Sequence, residues 1–304
     1  MKIKIIFTLI IVVISGLFIS CQFFSKLVVV GAQTAGASGS VNQNTVNAIS
    51  TSARAIGSAA EEITPEQEYY IGRAVAANIL GTYKLWNGNP ALTAYLNNIC
   101  GAITINSPRP EIYSGYHVAI LDSNEINAFA TSGGHIFITR GLINSTKSED
   151  ALAGVIAHEV AHIQLMHGIK AIKNSRITQA LLVTGTATVG AVTGMNVNQL
   201  TEVFNETVGE IVQTMVNSGY SQTQEYDADK KAMELMALAG YNPNGLITML
   251  ESLASVQTSG SGFGKTHPTP QRRISNAERT AANQSKNVTD TSSSRRARFT
   301  AATK

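Results

Sequence analysis

The chain has 304 residues, of which 44% are apolar, and a formal net charge of +3. This apolar content is enough for a hydrophobic core and excludes a wholly disordered chain. The small net charge gives no support for nucleic-acid binding, which usually involves a far more basic domain. The two cysteines are too few for a disulfide framework or a four-cysteine zinc site.

The N-terminal segment has the layout of an export signal, with two lysines, an apolar run and small residues before Cys21. Its end, Leu17 to Cys21, resembles the bacterial lipoprotein box, in which the cysteine is acylated and becomes the new N-terminus. We therefore expect a lipoprotein signal peptide over residues 1–20, lipidation at Cys21 and a flexible tether over residues 21–45. A signal anchor and a buried core segment are the alternatives.

Hydrophobic spacing and capping residues predict helices on both sides of a short region of strands. Thr146 and Glu149 indicate a capping box at the start of the longest of these helices. Gly133 and Gly134 indicate the turn between the last two strands. The predicted helices span residues 46–63, 65–80, 91–103, 148–173, 222–239 and 244–256, and the predicted strands span residues 116–121, 127–131 and 135–139.

Two further stretches have unusual composition. Residues 177–201 carry no charge, and we expect them to pack within the domain or over its cleft, with a membrane span as the alternative. Residues 280–304 are rich in Ser, Thr and Asn with scattered Arg, which predicts a disordered basic tail.

Residues 259–266 only partly match a phosphate-binding loop, because Ser259 stands where the pattern needs glycine, so no nucleotide is expected.

The predicted helix 148–173 contains the motif His158-Glu159-Val160-Ala161-His162. Positions i and i+4 lie on one helix face, so the two imidazoles can bind one zinc ion. Glu159 can reach a water at such a site, take its proton and pass it to the leaving amine. The short pattern also arises by chance, but its apolar neighbours predict burial, where two histidines and a glutamate are costly without a metal or tight partners.

A catalytic zinc site needs a third protein ligand. A histidine six residues after the second one is excluded, because Gly168 stands there and His167 comes one residue too early. Glu225 and Asp229 share a face of the predicted helix 222–239, so Glu225 can bind the metal while Asp229 accepts a hydrogen bond from a ligand histidine. A solvated acidic helix face is the competing interpretation of this pair.

Several segments, in order, resemble the HtpX/BepA-like zinc metallopeptidases, which share a family with the CAAX prenyl endopeptidases. The resemblance covers the chain from about Glu61 to Ala277. Two positions differ from the family's usual pattern, Gln222 and Asp227, and neither is an expected ligand. The matching segments are residues 122–130, 133–141 and 158–168, Glu225-Tyr226-Asp227-Ala228-Asp229, and Thr266-His267-Pro268 with Arg273-Ile274.

The resemblance implies a zincin-type α+β domain over residues 46–279, mainly helical, with a small β-sheet beside the active-site helix. It implies one Zn²⁺ per chain and Glu159 as the general base. It also implies an edge strand that pairs with an extended peptide substrate, which is physically reasonable because exposed backbone groups bind any side-chain sequence. The implied zinc ligands are His158, His162 and Glu225, and the implied substrate edge comprises Asn127, Ala128, Phe129, Gly133 and Gly134.

The resemblance further places His267 near the metal. There it could donate to a developing oxyanion, or occupy the open zinc position and hold the enzyme latent. A loop histidine stacked on Pro268 is the alternative. For His167 we expect a structural role, as a hydrogen-bond partner at the end of the active-site helix.

Together these features predict a zinc-dependent endopeptidase that is lipid-anchored in the bacterial cell envelope, at the periplasmic face of the outer membrane. Its expected substrates are extended segments of misfolded or misassembled envelope proteins. A zinc-bound chaperone or assembly factor with little proteolysis is the alternative, although metal binding alone does not need Glu159. A third hypothesis, a membrane-embedded peptidase, depends on the uncharged residues 177–201.

Overall fold

The computed structural model describes residues 64–170, 209, 211–256, 262, 266–267, 270–284 and 292–303. The predicted signal peptide, Cys21, the tether, the helix 46–63 and the uncharged stretch 177–201 lie outside these residues. Among the helices that the structure describes, none is long and apolar enough to cross a membrane.

Eight helices and a small sheet make up the described part of the chain, so the predicted mainly helical α+β class is confirmed. A π-helical segment, Gln213–Ser218, precedes α5. The strands are β1 (His117–Leu121), β2 (Ala128–Ala130) and β3 (His135–Thr139). The helices are α1 (Pro65–Thr82), α2 (Pro90–Ile105), α3 (Arg140–Ser145), α4 (Glu149–Gln164), α5 (Gln222–Leu238), α6 (Asn244–Val256), α7 (Pro270–Gln284) and α8 (Ser292–Thr303).

The three strands lie in the order β1-β3-β2, with β1 parallel and β2 antiparallel to β3. Alternate side chains of a strand point to opposite faces of the sheet. Ile136 and Ile138 therefore join the core formed with α2, α4 and α5, whereas Phe129 and Phe137 pack in a second core with residues of α1. The sheet is buried on both faces, and β2 forms one of its edges.

The start of α4 differs from the predicted capping box. Ser148 is the N-cap and accepts a hydrogen bond from the backbone of the first turn. Thr146 instead ends α3, where its hydroxyl donates to a backbone carbonyl of that helix. The Thr146–Glu149 prediction is wrong because the Glu149 carboxylate accepts hydrogen bonds from distant side chains rather than from its own helix start.

The C-terminal residues also differ from expectation. The prediction of disorder from residue 280 is wrong for residues 280–284, which end α7, and for residues 292–303, which form α8. Arg298 of this helix lies 2.5 Å from Glu149, and Arg295 lies 3.1 Å from Asp150. Composition alone predicts that this segment is solvated, but its arginines form ion pairs with acidic residues in the first turn of α4.

Candidate metal centre and active site

The candidate centre lies between α4 and α5, which pack against each other in the core. Every residue of α4 from Ala151 to Ile163 is buried, so the side chains of His158 and His162 are also held inside the protein. A complete capping box formed by Ser221 and Gln224 fixes the first residue of α5. Glu225 therefore stands in the first turn of α5, at the level of the two histidines.

Four of the side chains singled out in the sequence meet at one point. His158, His162, Glu225 and His267 each offer one donor atom, and these atoms all lie within 4.8 Å of one another. The Nε2 atoms of His158 and His162 are 3.0 Å apart, and His267 Nδ1 lies 3.2 Å from His158 Nε2. The Glu225 carboxylate lies 3.1 Å from His267 Nδ1, 3.6 Å from His158 Nε2 and 3.5 Å from His162 Nε2.

These distances are close to those of a tetrahedral zinc site. With zinc–ligand bonds of about 2.0 Å, tetrahedral donors are separated by about 3.3 Å. The five distances above, which involve both oxygens of Glu225, range from 3.0 to 3.6 Å and lie near that value, and all the donor atoms lie within 4.8 Å of one another. Three imidazoles and one carboxylate are also the donor types that zinc prefers, so the residues present fit the metal.

The nitrogen atoms of His158 and His162 that face away from the cluster have partners. His158 Nδ1 lies 3.0 Å from Asp229 Oδ1. His162 Nδ1 lies 2.9 Å from the Nδ1 atom of His167. Such hydrogen bonds set the tautomer and the orientation of an imidazole ring.

Arg273 of α7 connects the acidic members of the site. It is one of the residues that carry the family resemblance, but the sequence predicts no role for it. Its guanidinium contacts both oxygens of Asp229, at 2.7 and 2.8 Å, and lies 2.8 Å from Glu225. Burial raises the pKa of Asp229, but its interactions with Arg273 and His158 together outweigh that effect and lower the pKa to about 2. Besides the family resemblance, the signal for its burial is that Arg273 shares a helix face with the buried Ala277 and Ala281.

Glu159 lies beside the cluster, and one of its carboxylate oxygens has no hydrogen-bond donor in the part of the chain that the structure describes. Within the described residues, its Oε1 atom is buried and makes no hydrogen bond, with His267 Nε2 3.6 Å away. Burial raises the pKa of Glu159, although the nearby histidines His267 and His158 oppose that effect. A buried carboxylate with a free acceptor beside a metal-type donor set can hold and release the proton of a small polar molecule.

Tyr220 is a second neighbour that sequence reasoning missed. Its buried ring stacks on His162, with centroids 4.3 Å apart, and lies 5.7 Å from His167. Burial, together with the carboxylates of Glu159 and Glu225, raises the pKa of the Tyr220 phenol, so it remains neutral. The position of Tyr220 in the sequence, just before the N-cap residue of α5, does not predict that its ring contacts these histidines.

The predicted substrate edge corresponds to β2 and the turn that follows it. Backbone hydrogen bonds join Asn127 to Thr139 and Thr131 to His135. In an antiparallel pair only every second residue directs its N–H and C=O groups at the partner strand, so those of Ala128 and Ala130 point away from β3. Asn127 Oδ1 accepts from Ala128 N–H at 2.9 Å and from Thr266 at 3.1 Å. The Phe129 side chain is buried in the core.

The turn after β2 depends on Gly133 and Gly134, which have φ values of 83° and 100°. Glycine adopts such angles without steric cost. A Cβ atom on Gly133 would lie 2.6 Å from the backbone of Tyr69, so α1 also approaches this turn closely.

This fold and this donor set define the chain as a metallopeptidase. More particularly, the sequence profile of peptidase family M48 matches residues 90–281, and the chain belongs to that family. The predicted relationship is therefore confirmed.

Several proteins that are similar in sequence to this chain are named as proteases. The chain is 26% identical over 230 residues to the beta-barrel assembly-enhancing protease of Escherichia coli K12, covering 75% of this chain and 46% of that protein. It is 31% identical over 135 residues to Metalloprotease LoiP of the same strain, covering 44% of this chain and 50% of LoiP. It is 26% identical over 193 residues to the mitochondrial metalloendopeptidase OMA1 of Schizosaccharomyces pombe, covering 61% of this chain and 52% of OMA1. The chain thus spans about half the length of these relatives.

Proposed function

We propose that the chain is a zinc-dependent endopeptidase in which His158, His162 and Glu225 hold one zinc ion and Glu159 is the general base. The observation that carries this proposal is the cluster of four buried donor groups, with five donor distances of 3.0–3.6 Å, beside a buried Glu159 oxygen that makes no hydrogen bond within the described residues. When bound, zinc supplies a Lewis acid and lowers the pKa of a coordinated water to about 7.

The side chains around the cluster have separate tasks in this proposal. Glu159 takes a proton from the attacking water and passes it to the leaving amine. A buried site favours this transfer, because the raised pKa of Glu159 brings the carboxyl closer to the working pH. Asp229 orients His158 and is itself held by Arg273.

His267 occupies a position that bears on substrate access. A catalytic zinc site keeps one coordination position for water or substrate. With its Nδ1 atom 3.1 Å from Glu225 and 3.2 Å from His158, His267 takes the place of a fourth donor, which corresponds to the latent arrangement. We expect His267 to move away before a peptide enters, and in its displaced position it could donate to the oxyanion of the substrate.

The substrate in this proposal is an extended polypeptide that pairs with β2. The outward backbone groups of Ala128 and Ala130 can accept a strand of any side-chain sequence. The side chain of Asn127 covers the Ala128 N–H and has to turn away when that strand binds. Folded proteins offer few free strands, so misfolded or unassembled proteins are the expected substrates.

The cell envelope is the proposed location. The predicted lipoprotein signal and Cys21 would attach the chain to a membrane on the periplasmic face, in the outer membrane of the bacterial envelope. The name of the beta-barrel assembly-enhancing protease associates that relative with β-barrel assembly, and such barrels are outer-membrane proteins. We therefore propose misassembled envelope proteins as the natural substrates, in protein quality control.

The test compares Glu159→Gln with Glu251→Gln, a matched change at an exposed position on α6. We expect Glu159→Gln to retain zinc at the wild-type level but to lose casein cleavage by at least about a hundredfold, the lower end of the usual contribution of a general base. Glu251→Gln should behave as wild type. Undiminished cleavage by Glu159→Gln would exclude the mechanism, and zinc binding without any cleavage in the wild type would favour the chaperone alternative.

A further inference from the structure

The main chain changes direction just after the second histidine of the motif. The helix α4 ends at Gln164, and Met166 has a φ of 57°, the one positive value found at a non-glycine residue among the described residues. Left-handed backbone is sterically disfavoured for methionine and tends to persist where the surrounding structure enforces it. The break therefore marks a conformation that the fold maintains.

The break has a specific result for His167. In an unbroken helix, a residue five positions after His162 would lie about 140° further round the axis and could not meet its ring. With the turn at Met166, the two Nδ1 atoms are 2.9 Å apart. The left-handed residue thus brings His167 back to His162.

The pair is enclosed. His162 and His167 are 2% and 1% exposed, and the ring of Tyr220 contacts both. The following residue, Gly168, is closely packed, because an added Cβ would lie 3.0 Å from Ser132 Oγ. Solvent therefore cannot readily replace either imidazole as the partner of the other.

We propose that His167 is a positioning residue for the zinc ligand His162. His162 offers Nε2 to the donor cluster, so its proton stays on Nδ1 and is donated to the lone pair of His167 Nδ1. His167 is then neutral, with its own proton on Nε2. The arrangement parallels the carboxylate of Asp229 behind His158, with a neutral imidazole in place of the charged acceptor.

This proposal rests on the zinc-binding role proposed above and adds the second partner that orients a ligand. Its expected effect is on metal affinity. Removal of a hydrogen-bond partner behind a metal ligand usually lowers metal affinity by about 10- to 100-fold. An oxygen acceptor at the same place should restore most of that affinity.

The experiment compares the zinc affinities of full-chain variants by competition with a chromophoric chelator. His167→Leu removes the acceptor, whereas His167→Asn places its Oδ1 close to where the Nδ1 atom of histidine lies. We expect a loss of about 10- to 100-fold for His167→Leu and about threefold or less for His167→Asn. His117→Leu, at an exposed histidine of β1, is the matched control and should leave zinc affinity unchanged.

Equal zinc affinities for wild type and His167→Leu would overturn this proposal alone. Equal losses in His167→Leu and His167→Asn would do so as well, because they would indicate packing rather than an acceptor. A wild-type chain that binds no zinc would overturn the proposed function together with this inference.

A second measurement covers the case in which His167→Leu does not fold. In zinc-loaded wild-type protein labelled with ¹⁵N-histidine, the hydrogen bond predicts a scalar coupling between the Nδ1 atoms of His162 and His167. A resolved spectrum without that coupling would contradict the proposal.

Discussion

Arg273→Met tests how the buried charges of the site are held. The guanidinium of Arg273 makes three contacts of 2.7–2.8 Å with Asp229 and Glu225, and all three side chains are 0% exposed. Methionine fills a similar volume but leaves two carboxylates buried without their cation. Breaking a buried ion pair in this way costs about 3–5 kcal/mol, because the remaining charge is uncompensated.

The assay is urea unfolding followed by circular dichroism, in EDTA so that metal binding does not contribute. With a slope of about 2 kcal/mol per M, the expected loss lowers the urea midpoint by about 1.5–2.5 M. Arg272→Met is the matched control, because Arg272 is the exposed neighbour on the same helix. Its free energy of unfolding should change by less than about 0.5 kcal/mol.

A third variant separates charge from geometry. Arg273→Lys keeps the positive charge but cannot contact both oxygens of Asp229 with a rigid planar group, so its stability should lie between those of wild type and Arg273→Met. Equal midpoints for Arg273→Met and Arg272→Met would refute the reasoning, since they would show that the two carboxylates do not need the guanidinium.

Three further predictions concern other parts of the fold. Gly72→Ala should destabilise the protein by more than about 3 kcal/mol or prevent folding, because the added Cβ would lie 1.3 Å from a backbone oxygen of the β2–β3 turn, whereas Gly81→Ala, with no atom within 4 Å, should leave the urea midpoint unchanged or slightly raised. Burial raises the pKa of Cys100 to about 12, so iodoacetamide at pH 8 should label a Cys21→Ser protein at least about a hundredfold faster in urea than in buffer, and equal rates would contradict the buried position. Ending the chain after Gln284 removes α8 and its two arginine–carboxylate contacts with α4, so the melting temperature should fall by several degrees, and an unchanged value would show that α8 does not support the active-site helix.

The helix that carries His158 and His162 could be predicted because its signals are local. Two histidines four residues apart share a face in any α-helix, and the apolar neighbours indicate that this face is buried. The same reasoning places Glu225 and Asp229 together on α5. The strands were also predictable to within two residues at each end, because alternation and turn glycines lie close together in the sequence.

The interactions that could not be predicted join residues far apart in the chain. Arg273 contacts Asp229 across 44 residues, and Arg295 contacts Asp150 across 145 residues. From local composition, Arg295 belongs to a polar tail that is expected to be solvated. Local composition cannot reveal that its partner is the acidic first turn of α4. The left-handed turn at Met166 was also missed, because neither methionine nor its neighbours favour such a break.

Zinc titration of the metal-free protein tests the central claim most directly. The metal is removed with a chelator, zinc is added back in small portions, and bound zinc and casein cleavage are measured on the same samples. We expect cleavage to rise in proportion to bound zinc and to level off at one equivalent per chain, with no such rise in Glu159→Gln although it binds the same amount of metal. Full cleavage by the metal-free chain, or bound zinc that restores no cleavage in the wild type, would contradict a zinc-dependent peptidase.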